Sequence, residues 1–89
     1  MLTETITIIN KRGLHARAAA KFATTAAQFS ARIQARTNGS WVEAKSVMSL
    51  MLLAATQGTD LEVSTDGDDE INAMAAIKSL IEDRFEEDE

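Results

Sequence analysis

The only histidine of the chain, His15, lies in the segment Gly13–Arg17 (Gly-Leu-His-Ala-Arg), where a strand-like pattern gives way to a helix-like one. The backbone N–H groups that open a helix have no partners within it and attract anions. Arg17 adds a guanidinium, whose forked donors match the oxygens of a phosphate. A nucleophilic ring therefore stands beside two kinds of anion-binding group. This combination predicts a histidine that carries a phosphoryl group.

The chemistry follows from the imidazole ring. An ordinary imidazole is largely neutral at cellular pH, so one ring nitrogen has a free lone pair that can attack phosphorus. The backbone of Ala16 and Arg17 and the guanidinium can then hold the phosphoryl oxygens. We expect no carboxylate beside His15 to act as a general base, and no metal site or cofactor, so a partner must supply the remaining machinery. The sequence predicts a carrier rather than an enzyme.

Size and composition favour one small domain, residues 1–89. The chain is 45% hydrophobic and has no cysteine, so packing rather than disulfides must stabilise it. The N-terminus does not resemble a signal peptide, and the longest apolar run, Leu50–Ala55, is too short to span a membrane. We expect a cytoplasmic monomer with no membrane insertion.

The net charge is −5, but the two parts of the chain carry charges of opposite sign. Residues 1–59 carry seven bases and two acids, whereas residues 60–89 carry two bases and twelve acids. The charges are either a solvated surface or a basic face that meets a phosphate or an acidic partner. Nucleic acid is disfavoured, because the overall charge is negative and Trp41 is the only indole.

Hydrophobic periodicity predicts the element order β-α-β-β-α-β-α. The predicted strands are residues 3–9, 31–36, 41–44 and 61–66, and the predicted helices are 16–29, 47–56 and one that begins at Asp69. Asn38-Gly39 is typical of a tight hairpin turn between the second and third strands. The fold class that follows is α/β (α+β), an open-faced sandwich with a four-stranded, mostly antiparallel sheet and three helices on one face.

The last helix is predicted to bury a stripe of apolar side chains and to end in an acidic segment. Leu80 lies beside that stripe, which consists of Ile71, Met74, Ile77, Ile81 and Phe85. Residues 86–89 are all acidic, and we expect them to fray.

The second helix is apolar on almost every side. We expect Val47, Leu50 and Leu53 to lie in the core, whereas Met48 and Met51 share one face and can form an adaptable docking patch. Ser46 is a good N-cap for this helix. It could also accept a phosphate, which would place negative charge beside the methionines.

Three segments together resemble the HPr phosphocarrier family of the bacterial phosphotransferase system. They are Gly13–Arg17, Ala44–Met48 (Ala-Lys-Ser-Val-Met) and Gln57–Thr59 (Gln-Gly-Thr), and the resemblance covers essentially the whole chain. It implies that His15 takes a phosphoryl group on Nδ1 from phosphorylated enzyme I, which phosphoenolpyruvate charges. It further implies that His15 passes this group to a histidine of an enzyme IIA domain.

The resemblance also implies roles for other residues. Arg17 matches the arginine that stabilises the phosphoryl group. Ser46 matches the serine that an ATP-dependent regulatory kinase, or kinase/phosphorylase, modifies in some members. The residues that correspond to the partner-docking surface are Ala20, Val47, Met48 and Met51.

The sequence departs from the family pattern at a few positions. Many members have proline where this chain has Ala18, and some sugar-pathway members have lysine where it has Thr24, Ala27 and Ser49. The acidic end is similar to the nitrogen-related branch, whereas Ala44–Met48 suits the kinase-regulated branch, so both branches stay open. Two alternatives from other classes also stay open. One is a split β-α-β domain that senses an anionic metabolite, and the other is an interaction domain that is never phosphorylated.

Overall fold

The computed structural model describes residues 1–89 and contains one four-stranded sheet. Its strands are β1 (Leu2–Thr7), β2 (Arg32–Arg36), β3 (Val42–Glu43) and β4 (Asp60–Asp66). They lie in the spatial order β1-β4-β2-β3, and all three pairings are antiparallel. The two central strands, β4 and β2, are therefore distant in sequence from one another and from β1.

Three helices and a short 3-10 turn complete the structure. The helices are α1 (Ala16–Ala27), α2 (Val47–Met51) and α3 (Glu70–Glu82), and the 3-10 turn covers Arg84–Glu86. The observed order is β-α-β-β-α-β-α, which confirms the predicted open-faced α+β sandwich. No helix is both long enough and apolar enough to cross a membrane.

The core forms where the helices pack on one face of the sheet. Alternation along the strands buries one set of side chains and leaves a polar set, such as Thr3 and Thr5, exposed. The buried face of α1 consists of four alanines and Phe22, and this helix packs against α2 and α3. The buried strand residues are Ile6, Ile33, Ala35, Leu61 and Val63, and their main helical partners are Ala19, Phe22, Ala26, Met74, Ile77 and Ile81.

Helix α2 is shorter than predicted, because it ends at Met51 rather than near residue 56. Ala54 adopts a left-handed conformation (φ 51°), which turns the chain back toward the core. Ala55 is then buried, and its carbonyl accepts a hydrogen bond from the Leu14 N–H at 2.8 Å. Of the residues after α2, Leu53 and Ala55 therefore pack into the core, whereas Leu52 and Ala54 stay exposed.

The buried stripe of α3 was predicted correctly except at its first position. Met74, Ile77 and Ile81 are buried, but Ile71 is 72% exposed, so that prediction is wrong. Position 71 lies in the first turn of α3, at the edge of the face that Ala73, Met74, Ile77 and Ile81 bury, and its side chain is left in solvent. Leu80 is partly buried and packs beside the core.

The chain after α3 turns sharply. Phe85 is fully buried but lies beyond the helix, in the 3-10 turn, where residues 84–86 all have positive φ angles. This turn directs the acidic tail (Glu86–Glu89) back across the N-terminal half of the chain. The prediction that these residues fray is wrong, because they are held by the contacts described below.

Candidate functional site

His15 is the N-cap residue of α1. Its backbone is extended (φ −76°, ψ 179°), its carbonyl accepts from the Ala19 N–H at 2.8 Å, and its side chain makes no capping hydrogen bond. The N–H groups of Ala16 and Arg17 belong to the first turn and have no carbonyl partner within the helix. The ring and two free backbone donors therefore lie at one end of α1, as predicted.

The loop before His15 is held close to the segment that follows α2. Gly13 has a φ of +67°, and a Cβ atom at this position would lie 2.4 Å from the Ala55 carbonyl oxygen. Leu14 is buried and donates its N–H to the same oxygen. Only glycine can therefore occupy position 13 without moving the loop that carries His15.

The Gln57–Thr59 segment lies against the strand that leads into this loop. The Gly58 N–H donates to the Ile8 carbonyl at 2.7 Å, and the Gln57 amide donates to the Ile9 carbonyl at 3.1 Å. The backbone bond extends the β1–β4 ladder past its last pair, Thr7 and Asp60, and the bond from the Gln57 side chain adds a second link. The segment therefore fixes the residues after β1 that lead into the His15 loop.

Arg17 is exposed, and its guanidinium forms neither an ion pair nor a hydrogen bond. It lies on the first turn of α1, two residues from His15. The guanidinium is therefore available to an anion that binds at the start of the helix.

A cavity of about 330 Å³ lies beside His15 and is lined only by charged residues. Its basic wall brings together four bases of the N-terminal half, and its acidic wall is the acidic tail. The lining residues are Lys11, Arg12, Arg17, Lys21, Glu86, Glu87, Asp88 and Glu89.

A carboxylate does accompany His15, so the prediction that none does is wrong. The Oε2 atom of Glu87 pairs with Nε2 of His15, and its Oε1 atom accepts from the Asn10 amide at 3.0 Å. Asn10 is fully buried and also donates to the Gly13 carbonyl at 2.7 Å. Glu87 is therefore fixed by both its oxygen atoms.

The surroundings of Glu87 keep its carboxyl group charged. Burial favours the neutral form, but hydrogen bonds from His15 and Asn10, together with the charge of Arg12 and the charge that His15 carries when it is protonated, outweigh it. The net result is a Glu87 pKa below that of an ordinary glutamate. At neutral pH the His15 ring therefore faces an ionised carboxylate.

Lysines hold the acidic tail on either side of Glu87. The backbone N–H of Lys11 donates to the Glu89 carbonyl at 2.5 Å, and its ammonium lies 3.2 Å from the Glu89 carboxylate. Lys21 donates to the Phe85 carbonyl at 2.8 Å and lies 3.4 Å from the Glu86 carboxylate. The tail is thus fastened before and after the residue that contacts His15.

The second predicted feature, the methionine face (Met48 and Met51), is exposed on α2. Met48 is 77% exposed, and Leu52, which is the C-cap of the helix and was not among the predicted docking residues, is 81% exposed. Leu50 is buried beneath them, as predicted. Ser46 caps the helix, since its Oγ accepts from the Ser49 N–H at 3.2 Å, which confirms the predicted cap.

The remaining candidate docking residues are less exposed. Val47 is partly buried and packs against the core, and Leu53 does the same. Ala20 is half-buried on α1, where it lines a second cavity of about 300 Å³ together with Arg17 and Thr24. Because α1 packs against α2, these residues and the methionine face belong to neighbouring helices.

Comparisons with known proteins show which family the sequence resembles. A sequence model of the family described as "PTS HPr component phosphorylation site" matches residues 2–83. The phosphocarrier protein HPr of Neisseria meningitidis serogroup A is 52% identical over 89 residues, which cover 100% of both chains.

Solved structures of HPr proteins are similar to this chain over almost its whole length. The crystal structure of HPr-C-His from Thermoanaerobacter tengcongensis is 45% identical, covers 100% of both chains and superposes with a TM-score of 0.95. A crystal structure of an HPr dimer from the same organism is 46% identical, covers 98% of this chain and 100% of its own, and has a TM-score of 0.78. The chain therefore belongs to the HPr family of phosphocarrier proteins of the phosphotransferase system.

Proposed function

We propose that His15 accepts a phosphoryl group on Nδ1 from phosphorylated enzyme I and passes it to a histidine of an enzyme IIA domain. The observation that carries this proposal is the position of the ring at the start of α1. There it adjoins the free N–H groups of the first turn and the unpaired guanidinium of Arg17. Membership in the phosphocarrier family supports the same assignment.

The site can hold a phosphoryl group but has few means of activating one. The backbone of Ala16 and Arg17 and the guanidinium offer donors to its oxygens. A phosphorus–nitrogen bond on an imidazole is weak, which suits onward transfer. We therefore propose that the chain is a carrier and not an enzyme, and that its partners catalyse both transfers.

The proposal extends to where the carrier acts and how it contacts its partners. We propose that residues 1–89 act as one carrier domain in the cytoplasm, as a monomer that binds no nucleic acid. The methionine face and its neighbours Ala20 and Val47 would dock the successive partners, since flexible methionine side chains adapt to more than one surface. An exposed apolar face of this kind is typical of an interaction site.

The direct test is phosphorylation in solution. Incubation with phosphoenolpyruvate and enzyme I is expected to add ~80 Da, the mass of HPO₃, in an acid-labile and base-stable form. The His15→Ala variant is expected to gain nothing. No adduct on the wild type, or an equal adduct on the variant, contradicts the proposal. Reversible anion binding without an adduct would instead identify a metabolite-sensing domain.

We also propose that Ser46 is a site of regulatory phosphorylation. Its hydroxyl is partly exposed at the first turn of α2, where phosphate oxygens can take over the hydrogen bond from the Ser49 N–H. The new charge would lie next to Met48 and weaken apolar docking there. ATP-dependent labelling by the cognate kinase should disappear in Ser46→Ala and persist in Ser49→Ala; labelling that survives in Ser46→Ala rules the site out.

A further inference from the structure

We propose that Glu87 is a positioning residue for His15: its carboxylate holds the Nε2 proton and leaves the Nδ1 lone pair free to attack phosphorus. The proposal rests on the proposed function and adds to it a residue that lies 72 positions away in sequence.

Both oxygens of the Glu87 carboxylate are engaged, and one of them contacts the ring. Oε2 pairs with Nε2 of His15, and Oε1 accepts from the buried amide of Asn10. The side chains of His15 and Glu87 are 24% and 14% exposed, so neither is freely solvated. Both protons of the Asn10 amide are engaged, one by Glu87 and one by the Gly13 carbonyl, which fixes the carboxylate relative to the His15 loop.

The pairing determines which ring nitrogen can act as the nucleophile. An ionised carboxylate only accepts hydrogen bonds, and a neutral imidazole has one N–H and one lone pair. A proton that lies between Nε2 and Glu87 therefore leaves the lone pair on Nδ1. The same contact prevents the ring from rotating away from the start of α1.

Glu87 also favours the charge that develops during transfer. As the bond between Nδ1 and phosphorus forms, the bond from phosphorus to the donor atom breaks and its electron pair leaves with the donor. The ring becomes positive while Nε2 keeps its proton, and the carboxylate stabilises that imidazolium. In onward transfer the Nδ1–P bond breaks, its electron pair returns to Nδ1, and the Nε2 proton again stays in place.

The acidic tail could instead compete with the phosphoryl group for the bases of the cavity. The ion pairs argue against this role, because the tail engages Lys11 and Lys21 but leaves Arg17 unpaired. Arg17 is the base nearest to the nucleophile in sequence and lies on the first turn of α1. The tail is therefore compatible with a phosphoryl group on Nδ1.

The test compares Glu87→Gln with Glu82→Gln in the full chain. Both variants remove one negative charge by the same chemical change, but Glu82 is exposed at the end of α3, forms no hydrogen bond or ion pair and does not line the cavity. A glutamine offers one oxygen acceptor in place of two, so it cannot serve both His15 and Asn10. The rate of phosphorylation by enzyme I and phosphoenolpyruvate is measured for each variant, and the Nε2 proton is observed by NMR in the unphosphorylated, ¹⁵N-labelled protein.

We expect Glu87→Gln to be phosphorylated about tenfold more slowly than the wild type, which corresponds to ~1.4 kcal/mol in the barrier. Glu82→Gln should change the rate less than about twofold, or ~0.4 kcal/mol. The wild type should show a hydrogen-bonded Nε2 proton that exchanges slowly with water, and Glu87→Gln should lose that protection.

Three results overturn the positioning role: a rate for Glu87→Gln equal to that of Glu82→Gln, a rate above that of the wild type, or unchanged protection of the Nε2 proton. A faster variant would show that the tail competes with the phosphoryl group. Absence of any adduct on the wild type is a different failure, because it contradicts the proposed function itself.

Discussion

At the scale of single residues, the proposed chemistry rests on three side chains. In that proposal His15 supplies the nucleophilic ring, Arg17 an unpaired guanidinium, and Glu87 a charged carboxylate that pairs with Nε2. The first two belong to one short segment, so their spacing made them candidates before the structure was known. Glu87 lies near the other end of the chain, and its only sequence signal is an acidic run of a kind that is usually just solvated.

Replacement of Arg17 should impair transfer without unfolding the protein. In Arg17→Ala we expect phosphorylation by enzyme I to slow about tenfold, because one charged donor to the phosphoryl oxygens is lost. The free energy of unfolding should change by less than ~0.5 kcal/mol, since the guanidinium has no partner. Arg32→Ala, at an exposed position on β2, is the matched control. Loss of stability in Arg17→Ala would show that this arginine is structural.

The contact between Glu87 and His15 should depend on pH in a defined direction. The folded-state pKa of Glu87 is lowered from 4.5, so the stabilisation is present above that pH and is lost as the pH falls through the lowered pKa. A ¹³C titration of the carboxyl group measures this. We expect a midpoint below 4.5 in the wild type. The midpoint should be higher in His15→Ala, because burial raises the pKa of Glu87 and the opposing effect of His15 is then lost. A wild-type midpoint at or above 4.5 contradicts the contact.

At the scale of elements, two short segments determine where His15 lies. The Gly13 loop packs on the segment after α2, and Gln57–Thr59 bonds to the end of β1. Periodicity predicted the strands and helices themselves, because each has one buried face. It could not predict the end of α2, where tertiary packing of Ala55 outweighs the helical preference of an apolar run.

A side chain at position 13 should disturb this arrangement. We expect Gly13→Ala to lower the free energy of unfolding by ~2 kcal/mol or more, because the new Cβ meets the Ala55 carbonyl and the backbone is left-handed. Gly39→Ala is the control, since no atom lies within 4 Å of its Cβ position. Urea unfolding measures both variants. Equal effects in the two would mean that the loop is not held by this contact.

At the scale of the whole molecule, the C-terminus completes a site that the N-terminus begins. The buried ring of Phe85 anchors the turn after α3, and the acidic tail then crosses to Lys11 and His15. The asymmetric charge of the sequence left open whether the bases near His15 form one face, and the structure brings four of them together in one cavity wall. The sequence did not predict that the acidic region would lie against them, because nothing local reveals the left-handed turn at residues 84–86.

Loss of the Phe85 anchor should affect both stability and the tail. We expect Phe85→Ala to lower the free energy of unfolding by about 3–5 kcal/mol, as for other fully buried aromatic side chains. Ile71→Ala removes an exposed apolar side chain from the neighbouring helix and should cost no more than ~0.5 kcal/mol. Chemical denaturation with both variants checks the difference. Similar values would show that Phe85 does not hold the tail in place.

The most direct test of the account is to identify the phosphorylated ring nitrogen. In protein labelled with ¹⁵N at the His15 ring and charged by enzyme I and phosphoenolpyruvate, we expect one-bond ³¹P–¹⁵N coupling at Nδ1, with a proton retained on Nε2. Coupling at Nε2 would contradict the role of Glu87. Absence of any phosphorus on the ring would contradict the carrier function.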